Sequence, residues 1–195
     1  MTSLKKNFIY NVVYQMLLII LPLITAPYIA RTLGAEGVGI YSYTYSVAQY
    51  FLLFAMLGIS NHGNRSIAAV REDDCKLSRT FWSIYSIQAF MYVLAIIAYL
   101  IYLFAFNVDN KTIVAIQFIY VVSGALDISW YFFGTEQFKI TVTRNMIIKI
   151  ATVILMFIFV HNPGDLAKYT VIMAGGTFLS QAYLWTYIFR QVDVV

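Results

Sequence analysis

The chain has 195 residues, of which 61% are hydrophobic and only 11% are charged, whereas soluble domains average about 25% charged residues. A mean hydropathy of +0.75 leaves too few polar side chains to cover a globule in water, so the composition excludes most soluble folds. The single cysteine, Cys75, argues against a disulfide-stabilised secreted domain and a cysteine metal cluster. The 13 lysines and arginines are scattered between apolar segments, which argues against nucleic acid as a partner.

Six apolar segments separate the charged residues. Each is long enough to cross the roughly 30 Å hydrocarbon core of a bilayer as a helix of about 20 residues. Strands of a membrane barrel would be about ten residues long with strict polar alternation, a pattern that these segments lack. The sequence therefore predicts an all-α, multi-pass membrane protein with six transmembrane helices. The predicted spans are about 8–30, 40–62, 80–106, 113–133, 145–160 and 169–189.

The connections between these spans differ in charge. One side holds both termini together with residues 65–79 and 136–144, and it carries nine lysines and arginines. The other side holds residues 31–39, 107–112 and 161–168, and it carries three. Because basic residues are enriched on the cytoplasmic side of membrane proteins, we expect both termini to be cytoplasmic. The unpaired Cys75 would then lie in a reducing compartment, as a free thiol does.

The first span contains two prolines, Pro22 and Pro27. A proline lacks the N–H donor, so the carbonyl groups of Leu18 and Leu23 lose their helical partners and the proline rings kink the helix. Such a break must be satisfied inside the protein. One alternative is that the kinked span lines a cavity or acts as a gate. The other is that the kink only shapes how the helices pack. Downstream, Gly34 predicts a helix end and a tight turn.

Two charged residues, Asp127 and Lys149, lie inside predicted spans. A lone charge near the bilayer centre costs about 2.5–3.5 kcal/mol on insertion scales, so such residues are often functional. At about 1.5 Å per residue, both are expected some 8–10 Å deep from the same side. An antiparallel helix pair would let them form an ion pair that lines a substrate path. Alternatively, Lys149 extends to the headgroups and Asp127 hydrogen-bonds locally to Ser123 or Ser129.

No catalytic motif is evident in the sequence. Gly34, Gly37 and Gly39 are not followed by the Lys-Ser/Thr pair of a phosphate-binding loop. His62 and His161 fall on opposite sides of the predicted membrane, so they cannot share a metal ion. Because no nucleophile, base and orienting group occur together, the sequence predicts a protein that is not an enzyme and that holds no metal or cofactor.

Three segments, taken in chain order, resemble a known family. They are LPLITAPYIARTLGAEGVGIYSYTYSVAQYF (21–51), LGISNHGNRSIA (57–68) and DISWYFFGTEQFKITVTRN (127–145). Together they resemble the N-terminal half of the polysaccharide flippases of bacterial cell membranes, which share a superfamily with multidrug and toxic-compound exporters and lipid II flippases. The matching positions are Pro22, Pro27, Arg31, Gly34, Gly37, Gly39, Arg65, Asp127, Trp130, Gly134, Glu136, Lys139 and Arg144.

The resemblance implies export of undecaprenyl-pyrophosphate-linked oligosaccharides across the bacterial inner membrane during O-antigen or capsule synthesis. Such proteins work by alternating access between two helical lobes around a central cavity. This chain matches only the first lobe, so the resemblance implies a second lobe or a homodimer partner, besides membrane lipids and the lipid-linked oligosaccharide. A pyrophosphate favours arginine and lysine partners. Arg31, facing outward, Arg65, facing inward, and Lys149 are therefore candidates for the substrate path, although both arginines also suit interface anchors.

Two other functions fit the sequence. A related cation-coupled exporter of small molecules would present acidic residues in its cavity, and Asp127 alone fits that expectation. A truncated, non-transporting membrane fragment would only pack against partners. A membrane glycosyltransferase is a more distant alternative, because it would need a sizeable soluble acidic site and the predicted cytoplasmic connections are too short for one.

Overall fold

The computed structural model describes the backbone of residues 2–189 and 191–192 and the side chains of residues 15–16, 19–189 and 191–192. The side chains of Lys5, Lys6 and Arg190, which contribute to the predicted charge bias, lie outside this part. Throughout the described backbone the secondary structure is helical, without strands. The helices are α1 (Thr2–Ala55), α2 (Ile59–Val70), α3 (Asp74–Ala105), α4 (Lys111–Ala125), α5 (Ser129–Gly134), α6 (Phe138–Phe159) and α7 (Leu166–Ile188), with a short 3-10 turn at Pro163–Asp165.

The predicted fold class, an all-α multi-pass membrane protein, is confirmed. In the described part of the chain, three helical segments are long and apolar enough to cross a membrane: Asp74–Ala105, Lys111–Gly134, which combines α4 and α5, and Phe138–Phe159. Large apolar side chains also cover much of the surface, and on α3 they include Phe90, Ile97 and Phe104. Such a surface is stable in lipid and would aggregate in water.

Gly34 divides α1 into two helical segments. Its φ of 71° and ψ of 174° are the only non-helical values inside α1, and a positive φ is adopted readily by glycine alone. The helix end predicted at Gly34 is therefore confirmed. The backbone stays helical through Pro22 and Pro27, so the break in α1 falls at Gly34 and not at the prolines.

Contacts between connections define two ends of the helix bundle. At the end that contains Gly34, called the Gly34 end, the Tyr28 hydroxyl donates to the carbonyl of Val160 at 2.6 Å. At the opposite end, called the Gly58 end, Arg71 pairs with Glu136. The first contact brings residues 161–168 close to residues 31–39, and the second joins residues 65–79 to residues 136–144, as the sequence predicts. Which end faces the cytoplasm stays a prediction.

The second predicted span, 40–62, includes a turn in the structure. Helix α1 ends at Ala55, and Gly58, with φ 76°, precedes the separate helix α2. Close approach of α2 and α5 explains why the chain turns here: a Cβ atom on Gly63 would lie 2.7 Å from the Trp130 ring, and one on Gly134 would lie 2.7 Å from Ile67. Small residues on both helices thus let α2 fold back onto α5.

Candidate functional site

Asp127 lies in the short break between α4 and α5. Its Oδ1 atom accepts a hydrogen bond from the backbone N–H of Ser129 at 3.0 Å. This short-range pattern is typical of aspartate at a turn, where the carboxylate replaces a missing backbone partner. Local hydrogen bonding, one of the two alternatives left open by the sequence, is therefore what the structure shows, with the Ser129 backbone as the donor.

Side chains from two neighbouring helices satisfy the backbone groups that the break exposes. From α3, Gln88 donates through Nε2 to the carbonyl of Asp127 at 2.9 Å and accepts from Trp130 Nε1 at 2.9 Å. From α7, Trp185 Nε1 donates to the carbonyl of Leu126 at 3.0 Å. Irregular backbone at membrane depth is tolerated only where protein or a cavity supplies partners. These bonds therefore fix the break between α3 and α7.

The other alternative, an ion pair between Asp127 and Lys149, is not what the structure shows: the ion pairs of the described side chains include neither residue. Helix α4 packs mainly against α7, α1 and α3, and α6 packs mainly against α7. Helix α6 begins at Phe138, earlier than the predicted span, and at 1.5 Å per residue this places Lys149 about 16 Å along the helix. The Lys149 side chain is exposed. A role for either residue in a substrate path stays a prediction.

A cleft of about 490 Å³ opens beside Asp127, between the second segment of α1, α3 and the break. Its size lies within the range of roughly 300–1,000 Å³ that small-molecule sites occupy. The lining combines aromatic rings, neutral hydrogen-bonding groups, one carboxylate and a few apolar side chains. These residues are Tyr45, Ser46, Gln49, Tyr50, Leu52, Leu53, Met56, Tyr92 and Asp127.

Gly124 allows the walls of this cleft to approach each other. A Cβ atom at this position would lie 2.6 Å from the Tyr92 hydroxyl and would also overlap Leu52. Tyr92 is only 2% exposed, so its ring has little room to move away. The glycine therefore determines how closely α1 and α3 pack on α4 next to Asp127.

The remaining predicted site residues lie apart from the cleft. Arg31 is three residues before Gly34 and hence at the Gly34 end, whereas Arg65 is on α2 at the Gly58 end, and both side chains are exposed. Pro22 and Pro27 are exposed on the first segment of α1. The structure thus distributes the predicted cations over both ends of the bundle and does not gather them into one site.

Several residues of this region were not identified as site candidates from the sequence. Gln88 and Tyr92 lie within a long apolar segment, and an uncharged polar residue there is a much weaker signal than a charge. Their spacing of four residues, which places them on one helix face, was the available clue. Tyr50 gave no signal, because a single tyrosine near a membrane interface is common.

Arg144 is a second buried polar centre, which the sequence marked only as a family-typical position. It is 5% exposed and donates through Nη1 to the Ser180 carbonyl at 3.1 Å and to Gln181 Oε1 at 3.0 Å. Its Nη2 atom donates to Asn145 Oδ1 at 2.9 Å. These bonds join α6 to α7, so the described contacts give Arg144 a structural role.

Comparisons with known proteins agree with the membrane architecture. The chain is 29% identical over 171 residues to a protein of Escherichia coli (strain K12) described as a "Putative O-antigen transporter", and the alignment covers 85% of this chain and 40% of that protein. The chain therefore spans less than half the length of this relative. No solved structure is significantly similar. Residues 4–193 match the model of the family described as "Polysaccharide biosynthesis protein", and with nearly the whole chain matched, the protein belongs to that family.

Proposed function

We propose that this chain takes part in translocating undecaprenyl-pyrophosphate-linked oligosaccharide repeat units across the bacterial inner membrane, for synthesis of a surface polysaccharide. The family membership and the name of the Escherichia coli relative support export of polysaccharide as the general process. Because the chain spans only part of that relative, a second lobe, supplied by another polypeptide or a second copy, completes the transporter in this proposal.

The observation that carries the proposal is a set of exposed cations without ion pairs. The ion pairs of the described side chains, Arg71–Glu136, Lys76–Asp73 and Lys168–Asp165, all lie in connections or at helix ends. Arg31, Arg65 and Lys149 form none of them. A pyrophosphate binds arginine and lysine through short, charge-assisted hydrogen bonds. These three free cations therefore provide partners for it at both ends of the bundle and along α6.

The charge bias gives this path a direction. If the Gly58 end is cytoplasmic, as the excess of basic residues there indicates, then Arg65 meets the pyrophosphate before the conformational switch and Arg31 meets it afterwards. Lys149 on α6 lies between them. The lipid tail of the substrate remains in the bilayer, against the apolar outer faces of helices such as α3.

Deletion of the gene in its own host tests this proposal. We expect loss of surface polysaccharide, restored by the wild-type gene and restored poorly by Arg31→Ala, Arg65→Ala or Lys149→Ala. Lys76→Ala removes an exposed cation that already pairs with Asp73, and it should restore the polysaccharide as well as wild type does. Normal polysaccharide in the deletion strain would contradict the proposal.

One observation favours a second candidate function, the export of organic cations. The cleft places a carboxylate, Asp127, beside the rings of Tyr45, Tyr50 and Tyr92, and aromatic rings with a nearby carboxylate attract organic cations. If this function is correct, the deletion strain becomes sensitive to lipophilic cations such as ethidium while its surface polysaccharide stays intact.

A further inference from the structure

We propose that the cleft beside Asp127 is a saccharide-binding subsite, which holds a sugar of the transported oligosaccharide at a distance from the cations that bind its pyrophosphate. This inference rests on the proposed function and adds to it a site for the neutral part of the substrate. Its basis is the chemistry of the cleft lining, which differs from both the lipid-facing surface and the cationic positions.

Tyrosine rings supply the apolar part of the subsite. Tyr50 lines the cleft and is 61% exposed, so one face of its ring is available for stacking. Sugar rings carry faces of C–H groups, which pack on aromatic rings, while their hydroxyl groups point outward to hydrogen-bonding partners. Tyrosine suits such a ligand because it combines a large apolar ring with a polar hydroxyl group.

Hydrogen-bonding groups with free capacity surround this ring. Asp127 uses Oδ1 for the Ser129 backbone, which leaves Oδ2 to accept from a sugar hydroxyl in a charge-assisted bond. The Gln49 side chain hydrogen-bonds Tyr45, and its amide has further donor and acceptor capacity. Ser46 donates to the Ser42 carbonyl at 2.8 Å, and its oxygen remains an acceptor. Several convergent polar groups in a partly apolar cleft are the usual composition of a specific small-molecule site.

The charge and polarity of the cleft indicate which part of the substrate it can bind. Among the residues that the structure describes, its lining contains no lysine or arginine and carries one charge, the carboxylate of Asp127, so this lining repels a pyrophosphate. A lipid tail would cover the serine, glutamine and aspartate side chains of this lining without hydrogen-bonding them, and burying polar groups against hydrocarbon costs free energy. A neutral, hydroxyl-rich ring satisfies both conditions.

Binding of free sugars to the full chain, purified in lipid nanodiscs, tests the subsite. The probes are glucose, galactose and N-acetylglucosamine, measured by saturation-transfer NMR, with tetramethylammonium as a cationic comparison. Tyr50→Ala removes the stacking surface. Asp127→Asn removes the charge but keeps an Oδ1 acceptor for Ser129. Tyr43→Ala is the matched control, because Tyr43 is 65% exposed on the same helix and does not line the cleft.

We expect wild type to bind at least one of these sugars, with Kd raised about tenfold by Tyr50→Ala and by Asp127→Asn, the change that corresponds to losing one good contact. Tyr43→Ala should leave Kd unchanged. Size-exclusion profiles identical to wild type show that each variant is folded. No sugar binding by wild type, or equal Kd values for Tyr50→Ala and Tyr43→Ala, would overturn the subsite.

The remaining outcomes separate this inference from the proposed function. If tetramethylammonium alone depends on Tyr50 and Asp127, the subsite is overturned in favour of a cation site. If no sugar binds but the deletion strain loses its surface polysaccharide, the subsite fails and the proposed function stands. If sugar binding depends on Tyr50 and the polysaccharide is unaffected by the deletion, the cleft is a sugar site, but the proposed function fails and with it the role of this site in transport.

Discussion

Two exposed helix faces of this protein have opposite chemistry. The outer face of α3 is apolar and presents Ile87, Phe90, Leu94 and Ile97. The exposed face of the second α1 segment, residues 42–50, presents serine and tyrosine side chains instead. A hydrocarbon environment stabilises the first face and penalises the second. The comparison indicates that α3 faces lipid, whereas this part of α1 suits a polar cavity or a protein contact.

From Ile87 onward, the polar residues of α3 lie on its inner side. Gln88 and Tyr92 are both buried, and Gln88 binds the break between α4 and α5. Further along the same face, the Tyr99 hydroxyl donates to the carbonyl of Val114 at 2.8 Å. This part of α3 therefore has its apolar side outward and its polar side inward, the arrangement that lipid selects. The first three predictions below test this difference between the faces, and the fourth concerns a connection away from both.

The largest loss of stability is expected on replacing Gln88, the polar residue of α3 that is buried next to the cleft. Gln88→Leu leaves the indole N–H of Trp130 and the carbonyl of Asp127 without their partner, and each unsatisfied buried group costs about 1–3 kcal/mol. Thermal unfolding in detergent should show this loss of stability in the Gln88→Leu variant relative to wild type. Gln137→Leu removes a partly solvated amide that pairs with Gln191, and its cost should stay within about 0.5 kcal/mol. Equal costs for both changes would refute a structural role for Gln88.

A charge placed on each face should distinguish their surroundings directly. Ile97→Lys puts a cation on the lipid-facing side of α3, at a cost of about 2.5–3.5 kcal/mol, and should lower the fraction of chain inserted in the membrane. Ser46→Lys changes an exposed residue of the polar face and should insert within about 0.5 kcal/mol of wild type. Insertion measured by protease protection gives both values. Comparable losses would show that both faces contact lipid.

A smaller effect is expected where the two helices meet on α4. Gly124→Ala places a methyl group against Tyr92 and Leu52, and such overpacking costs about 1–3 kcal/mol. Gly175→Ala is the control, because a Cβ atom there has no neighbour within 4 Å, and this change should leave the melting temperature the same or slightly higher. A Gly124→Ala protein as stable as wild type would mean that the cleft walls separate easily.

The smallest effect is expected away from both faces, at the Gly34 end. Asp165 pairs with Lys168 and accepts from the backbone N–H groups of His161 and Asn162. The Lys168 ammonium group, with help from these N–H groups, lowers the pKa of Asp165 from 3.8 to about 2. The stability gained from a lowered carboxylate pKa is present above the unfolded pKa and is lost as the pH falls through the folded one.

Melting temperatures of wild type and Asp165→Asn, measured from pH 7 to pH 2, check this expectation. The difference between the two proteins should be constant above about pH 4 and should shrink toward pH 2. A difference that stays the same down to pH 2 would show that the carboxylate charge contributes nothing at this connection.

The helix end at Gly34 is predictable from the sequence because the ability of glycine to adopt a positive φ belongs to the residue itself. The grouping of the connections is predictable because charge and hydropathy are also local properties. The sequence did not predict the pairing of helices. Asp127 and Lys149 are suitable partners by their depth, but α4 and α6 each pack mainly against α7, and no local pattern encodes which helices meet. The turn before α2 depends likewise on a long-range contact, Gly63 with Trp130.

By itself, the sequence determined that this protein is a multi-pass helical membrane protein with charge concentrated at one side, because these features follow from the free energy of placing each residue in lipid or water. The tertiary structure decided where polar groups meet. Gln88, Trp130 and Trp185 lie far apart in the chain and converge on one helix break because its unpaired carbonyl groups need donors where water is excluded. The cleft beside Asp127 arises from this convergence, which no single segment specifies.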